Sequence, residues 1–120
     1  MHNIVHIQIL VSNLEVAMKF YHTIFNWKVY ISPDADYLAV FEIDDETDFV
    51  GGGFRLSDKI PQDSPILLYI YTKDITETLE RIRKIGGKIV AKKSPLPGKH
   101  GFIGKFSDPF GNVLGLFSQD

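Results

Sequence analysis

The side chains in this sequence that could do chemistry are few, and the first two lie on one predicted strand. Val5–Val11 has the pattern of a buried strand, with His6 and Gln8 on one face and Ile7 and Ile9 on the other. An imidazole titrates near neutral pH, so His6 could hydrogen-bond a ligand or act as a weak acid or base. The amide of Gln8 could orient a polar ligand. The structural alternatives are a histidine bonded to backbone and a solvated glutamine.

Two tyrosines form a second candidate group. Tyr69 and Tyr71 alternate with Leu68 and Ile70 in another predicted strand, so both rings share the face of Leu67. Their rings could stack on a ligand while the hydroxyl groups bind its polar atoms. The alternative is that the two rings only fill space on this face.

Four further side chains complete the predicted site. Phe54 and Phe117 follow the same strand alternation and would either add apolar wall or fill the core. Lys99 and His100 lie in the Pro-rich and Gly-rich segment Pro95–Gly101, where they could meet an anionic ligand or form a solvated turn.

Composition excludes several classes of protein. The 120 residues include 13 basic and 15 acidic side chains, without a basic run that would favour nucleic acid. There is no cysteine, which excludes disulfides, thiolate metal sites and cysteine nucleophiles. No serine lies in a recognisable nucleophile elbow. No apolar run approaches the ~20 residues of a membrane span, and no signal peptide is apparent, so we expect a cytoplasmic protein.

The sequence repeats itself with a constant offset of 61 residues. Residues 66–90 align with residues 5–29 without a gap, which places Ile70 on Ile9, Asp74 on Asn13 and Val90 on Val29. One half-size unit buries too little apolar surface to be stable alone. We therefore expect two copies to form one domain with a pseudo-twofold axis and a shared cleft, and clefts are where ligands bind.

Each copy is predicted to contain a strand, a helix and three more strands. Module one spans about residues 1–56, a linker spans 57–65, and module two spans about 66–120. The spacing of Ser12 to Glu15 and of Asp74 to Glu77 predicts two capping boxes, with helices ending near Phe25 and Ile85. The predicted strands are Val5–Val11, Trp27–Ser32, Tyr37–Ile43, Phe49–Leu56, Ile66–Thr72, Lys88–Lys92, Phe102–Phe106 and Val113–Ser118. This order indicates an α+β fold in which a curved mixed sheet surrounds a groove and the helices cover its outer face.

Three segments resemble the vicinal oxygen chelate superfamily, which includes glyoxalase I, bleomycin-resistance proteins and extradiol dioxygenases. The opening VHIQILVSNLEVAMKFYHTIFNW is similar to the family's first strand and helix, and YIYTKDITETLERIRKIGGKIV to the start of its second module. The ending DPFGNVLGLF is similar to its Asp-Pro-x-Gly-Asn turn and last strand. The resemblance implies tandem βαβββ modules, a homodimer and, in the enzymes, a divalent metal bound by four strands.

The ligand positions that the resemblance implies are mostly lost in this sequence. The first-strand histidine matches His6, but the other three ligands fall on Gly52, Leu67 and Gly115. One imidazole is a poor divalent site, because catalytic metals usually have at least three protein ligands. We therefore expect no cofactor, and a divalent metal is disfavoured unless His100 helps His6 to rebuild a non-standard site.

Three functions stay open from the sequence. The missing ligands and the aromatic residues favour a metal-independent protein that binds a small molecule, similar to the family's ligand-sequestering and resistance proteins. The second is an enzyme of lactoylglutathione-lyase or related type, working through His6 with or without a non-standard metal site. The third is a regulatory module that binds a protein partner.

Overall fold

The computed structural model describes residues 2, 4–43 and 51–120. The chain divides into two compact units, Met1–Ile60 and Pro61–Asp120, so the division falls inside the predicted linker 57–65. Each unit has its own four-stranded sheet and one α-helix. The fusion of the two modules into one domain stays a prediction.

Unit one contains β1 (Ile7–Val11), α1 (Leu14–Phe25), β2 (Lys28–Ile31), β3 (Leu38–Glu42) and β4 (Gly51–Leu56). Its strands lie in the order β1-β4-β3-β2. The β1–β4 pair is parallel, and the other two pairs are antiparallel. A parallel pair needs a crossover between its strands, and α1 is part of that crossover.

Unit two repeats this arrangement with β5 (Tyr69–Tyr71), α2 (Ile75–Lys84), β6 (Lys88–Pro95), β7 (Phe102–Ser107) and β8 (Val113–Ser118). The order is β5-β8-β7-β6, again with a parallel first pair and two antiparallel pairs. The prediction of an α+β fold built from two tandem βαβββ modules is therefore confirmed. Neither helix is long and apolar enough to cross a membrane.

A stack of aromatic rings joins α1 to its sheet. Tyr21 stacks on Trp27 with 5.2 Å between ring centroids, and Trp27 stacks on Phe41 at 4.7 Å. Phe54 closes the cluster at 4.9 Å from Tyr21 and 4.8 Å from Phe41. All four side chains are buried, so Trp27 packs between the helix and the sheet.

The N-terminus of α1 shows that one predicted cap was wrong, and the N-terminus of α2 confirms the other. Asn13, not Ser12, is the N-cap of α1, since its side chain accepts a hydrogen bond from the Val16 amide at 3.0 Å. Asp74 caps α2 as predicted, accepting from the Glu77 amide at 3.0 Å. In both helices the side-chain oxygen of the cap accepts a hydrogen bond from the backbone amide three residues later, which is the usual geometry of such caps.

Strand bounds differ from the predictions in two places. β6 runs to Pro95, three residues beyond the predicted end at Lys92, because Ser94 and Pro95 still pair with β7 across shifts in register. β5 is three residues long, and the predicted strand Ile66–Thr72 was too long. The first residues of the predicted strand Phe49–Leu56 and the acidic stretch Asp44–Asp48 lie outside the described residues.

The predicted turn at residues 108–112 is built around one buried carboxylate. Asp108 accepts hydrogen bonds from the Phe110 amide at 3.0 Å, the Asn112 amide at 2.9 Å and the Asn112 side chain at 2.9 Å. The Asp108 amide donates to the Asn112 carbonyl at 2.8 Å. Because Asp108 is buried, these donors would be left unpaired if the carboxylate were removed.

We expect Asp108→Ala to lower the free energy of unfolding by about 3 kcal/mol, since bonds to a charged acceptor are strong and their donors become unsatisfied. Urea denaturation measures the loss. Asp74→Ala is the matched control, because it removes one exposed cap bond and should cost about 1 kcal/mol. Equal losses in the two variants would contradict the central role of Asp108 in this turn.

Candidate functional site

In unit one, α1 covers one face of the sheet and leaves the other face to the candidate residues. Ile9 and Phe54 pair in register on the covered face. Gln8 lies beside Gly53, and Gly53 lies beside Val40, so these three positions share the open face. His6 lies just before β1, and both it and Gln8 are exposed. The structure thus keeps His6 and Gln8 together, as the strand alternation predicts.

The imidazole of His6 lies over the glycine of the neighbouring strand. A Cβ atom built on Gly53 would be 3.7 Å from both Cε1 and Nε2 of His6. A Cβ on Gly52 would instead lie 1.8 Å from the carbonyl oxygen of Ile7. Gly52 therefore allows close approach of the β1 backbone and cannot direct a side chain toward His6. The residue beside His6 on the fourth strand is Gly53. The ligand position that the resemblance implies on this strand, within Gly51–Gly53 and most closely at Gly52, stays a prediction.

Phe54 does not line the open face. Its side chain is fully buried and packs against Tyr21 and Phe41 on the side covered by α1. The prediction that Phe54 adds wall to a binding site was therefore wrong. The register of β4 places Gly53 on the open face and Phe54 on the covered one, because successive side chains point to opposite sides of a sheet.

In unit two, the same division separates core residues from the predicted tyrosines. A Cβ on Gly104 would contact side-chain atoms of Ile75 and Leu79, so this position faces α2. Leu116 is its register partner and is fully buried. Residues adjacent to Leu116 in β8 therefore point to the opposite, open face.

Tyr69 covers the glycine at the middle of this open face. Tyr69 pairs in register with Gly115, and a Cβ on Gly115 would lie only 2.4 Å from Cδ1 of the tyrosine ring. Tyr71 pairs with Phe117 one step further along the same strands. The side chains of Tyr69 and Tyr71 are 48% and 61% exposed. The structure thus brings Tyr69, Tyr71 and Phe117 together on one surface, with Gly115 beneath the first ring.

The segment after β6 forms a closed loop at one end of this surface. The Leu96 amide donates to the Gly101 carbonyl at 2.8 Å, and a short 3-10 turn, Pro97–Lys99, lies between them. Gly101 lies against the ring of Phe117, which is half-buried. His100 is exposed and its ring lies over Gly98. The hydrogen bond and the contact with Phe117 hold this loop at the edge of the aromatic surface.

Sequence reasoning missed Lys105. This residue of β7 pairs in register with Gly115, which pairs in turn with Tyr69, so Lys105 lies on the open face beside the glycine. Its side chain is half-buried. The alternation of Ile103 and Lys105 against the buried Gly104 and Phe106 was the signal, because it directs Lys105 away from α2.

The positions where the resemblance implies metal ligands hold few donor atoms. Leu67 is aliphatic and half-buried, two residues before Tyr69. Gly52 and Gly115 have no side chain, and the Tyr69 ring occupies the space that a side chain at Gly115 would need. Among residues 2, 4–43 and 51–120, no three His, Cys, Asp or Glu side chains are placed to hold a metal ion.

The Tyr69–Gly115 contact can be tested by a double-mutant cycle. We expect Gly115→Ala to lower the free energy of unfolding by roughly 1 kcal/mol, because the new methyl group must displace the Tyr69 ring. In a Tyr69→Ala background this cost should vanish, which urea denaturation measures.

Gly104→Ala is the matched control for this cycle. Its methyl group would meet Ile75 in the core, so its cost should be the same in both backgrounds. An undiminished cost of Gly115→Ala in the Tyr69→Ala background would contradict the contact.

Solved structures with this architecture include enzymes and resistance proteins. The fosfomycin resistance protein FosX from Listeria monocytogenes superposes with a TM-score of 0.77 at 18% identity, over 98% of this chain and 93% of that one. A hypothetical protein of S. aureus, SA1046, matches with a TM-score of 0.75 at 15% identity over 98% of both chains. A glyoxalase I mutant from Zea mays matches with a TM-score of 0.69 at 23% identity over 96% of this chain and 45% of that one. At these identities the likeness shows the fold alone.

A family model provides the assignment that distant structures cannot. A comparison with curated proteins finds no match to this chain. The model of the Glyoxalase/Bleomycin resistance protein/Dioxygenase superfamily matches residues 3–116. Because the match covers nearly the whole chain and agrees with the two βαβββ units, the chain belongs to the Glyoxalase/Bleomycin resistance protein/Dioxygenase superfamily.

Proposed function

We propose that this protein binds a small molecule without a metal ion, in a sequestering or resistance-type role. The observation that carries the proposal is the Tyr69 ring lying over Gly115. The family resemblance puts a glutamate ligand at this position, and here an aromatic ring occupies the space of its side chain. The open face of unit two thus offers aromatic surface where a metalloenzyme offers a carboxylate.

The composition of that face supports a particular class of ligand. Tyr69, Tyr71 and Phe117 lie at neighbouring register positions of this face, and their rings favour stacking on an aromatic or flat apolar group. Burial of such surface stabilises a complex by about 25 cal/mol per Å². Lys105 lies beside the rings and carries a positive charge that can pair with an anion. We therefore propose a ligand with an aromatic or apolar body and an acidic group.

The remaining candidate residues take supporting roles in this proposal. His6 and Gln8 are exposed polar groups of unit one, and on the open face of that unit they would donate or accept hydrogen bonds to a ligand bound there. His100 and Lys99 lie at the loop against Phe117 and would contact an anionic group. The homodimer and the cytoplasmic location that we expect from the sequence belong to the same proposal, and light scattering of the purified protein tests the dimer.

A metal-dependent role would need donors from elsewhere. A divalent catalytic site usually has at least three protein ligands. Of the implied positions only His6 carries a donor side chain, while Gly52, Leu67 and Gly115 carry none. The residues present therefore do not fit the divalent ion of the family's enzymes, and no step is assigned to a metal.

A second candidate function is a lyase that uses His6 as an acid or base. The exposed imidazole over Gly53 favours it, because the ring has room to approach a substrate. The lyase candidate differs from the small-molecule-binding proposal because it requires catalytic turnover of a substrate, and His6→Ala should abolish that turnover.

Elemental analysis separates the metal-free and metal-dependent roles. We expect protein purified without chelator to contain far less than one equivalent of any divalent transition metal, because a single imidazole binds such ions weakly. His6→Ala should give the same result. A stoichiometric metal that disappears in His6→Ala would contradict the proposal and redirect the search to lyase substrates.

Ligand binding is tested by titration calorimetry in the presence of EDTA. The compounds are bleomycin, fosfomycin and a panel of aromatic carboxylates and phosphonates. For a compound that binds, we expect Tyr71→Ala to weaken the affinity about tenfold, since one aromatic contact contributes roughly 1.4 kcal/mol.

Tyr37→Ala is the matched control for this titration. Tyr37 is 45% exposed, belongs to unit one, where Arg55 lies over its ring, and is not one of the residues of the proposed face. Its replacement should leave the affinity unchanged. Binding that EDTA abolishes, or that Tyr71→Ala and Tyr37→Ala weaken equally, would contradict the proposal.

A further inference from the structure

The open face of unit two is aromatic on one side and positively charged on the other. The strand pairings place one row of residues across the middle of the face: Tyr69 beside Gly115, Gly115 beside Lys105, and Lys105 beside Ala91. Tyr69 therefore lies at the β5 side of the row, while Lys105 lies toward β6. Ala91 carries only a methyl group, so no large side chain of this row screens Lys105 on the β6 side.

A second lysine lies on the same side of this face. Lys88 of β6 pairs in register with Ser107, which is two residues from Lys105 on β7. Side chains two residues apart on a strand share a face, so Lys88 and Lys105 both point away from α2. They are diagonal neighbours on adjacent strands, a distance that long side chains can span. The two ammonium groups can therefore contact one and the same group of a ligand.

No carboxylate of this face neutralises the two lysines. The neighbouring register positions on β6, β7 and β8 are not acidic, since they hold Ala91, Ser94, Ile103, Ser107, Val113, Gly115 and Phe117. Within the part of the chain that the structure describes, no ion pair or hydrogen bond engages the ammonium group of Lys88 or Lys105. Two like charges at close range repel each other, so a ligand that brings negative charge would relieve this repulsion.

The number and type of these cations favour a doubly charged head group. A carboxylate carries one charge and two oxygen atoms in one plane, an arrangement that the planar fork of an arginine matches best. A lysine ammonium is instead a compact point charge with three donors. A phosphate monoester has a charge of about −1.5 to −2 at pH 7 and three strong acceptor oxygens. Ammonium groups from two adjacent strands can each bind a different oxygen of such a phosphate.

We propose that the open face of unit two binds a phosphate monoester with an aromatic body. The phosphate would lie between Lys88 and Lys105, and the aromatic body would lie on the rings of Tyr69, Tyr71 and Phe117. This proposal rests on the proposed function. It adds Lys88 as a binding residue and makes the double charge of the head group the basis on which the site selects its ligand.

The test compares 1-naphthyl phosphate with 1-naphthyl sulfate by titration calorimetry at pH 8 in the presence of EDTA. The two compounds share one aromatic body and a tetrahedral head group, but the phosphate carries a second negative charge. We expect the phosphate to bind about tenfold more tightly, because the added charge interacts with two ammonium groups and each contributes about threefold. Equal affinities, with both compounds weakened by Tyr71→Ala, would overturn the phosphate proposal and leave the proposed function in place.

Lys88→Gln isolates the contribution of the second lysine. This substitution should lower the ratio of the two affinities about threefold, since one of the two attractions on the added charge is lost. Lys84→Gln is the matched control, because Lys84 is also exposed and belongs to α2, which covers the opposite face of the sheet. A ratio that Lys88→Gln leaves unchanged, or that both substitutions lower equally, would contradict the proposal.

Amide resonances of ¹⁵N-labelled full-length protein locate the bound compound. We expect 1-naphthyl phosphate to shift the resonances of Lys88, Lys105 and Gly115. Shifts confined to unit one would overturn the assignment of the site to this face.

A second pair of compounds examines the dicarboxylate alternative. Phthalate carries two carboxylates, and monomethyl phthalate carries one on the same ring. A preference for phthalate with no preference for the phosphate over the sulfate would overturn the proposal in favour of a dicarboxylate. If neither naphthyl compound binds while an aromatic monocarboxylate does, the phosphate proposal fails and the proposed function stands. If no aromatic anion binds, both fail.

Discussion

One constraint governs each half of this molecule: a single helix covers only one face of a four-stranded sheet. In unit one the stacked rings of Tyr21, Trp27 and Phe41 hold α1 on that face. In unit two, α2 contributes the buried side chains of Ile75, Leu79 and Ile82. Strand alternation then directs every second side chain away from the helix. The polar and aromatic candidates of both units lie on those opposite faces because the covered faces are filled.

The glycines of the central strands determine what the open faces can do. Gly52 has no room for a side chain, because the β1 backbone approaches it closely. Gly53 and Gly115 lie on the open faces, where one neighbours His6 and the other lies under Tyr69. Beside these two glycines, near positions where the resemblance implies metal ligands, lie an imidazole and a phenol ring. Membership of the superfamily therefore establishes the architecture, and the local residues decide the chemistry.

Much of the fold could be predicted from local patterns. The 61-residue repeat can be read directly from the sequence, and the cap at Asp74 and the turn at Asp108 depend on neighbours in the chain; the structure contains all three. Two predictions failed for different reasons. Asn13 rather than Ser12 caps α1, which is a local choice between adjacent polar residues, and β6 extends to Pro95 because its pairing with β7 persists across shifts in register.

The sequence by itself determined the modules, their order and the alternation that places Tyr69 with Tyr71 and His6 with Gln8. Only the tertiary structure decided which face each strand turns to its helix. As a result Phe54 lies in the core, Gly53 rather than Gly52 lies beside His6, and Lys105 lies next to Tyr69 across Gly115. The physical reason is register: a shift of one residue exchanges the two faces of a strand, and pairing between distant segments sets it.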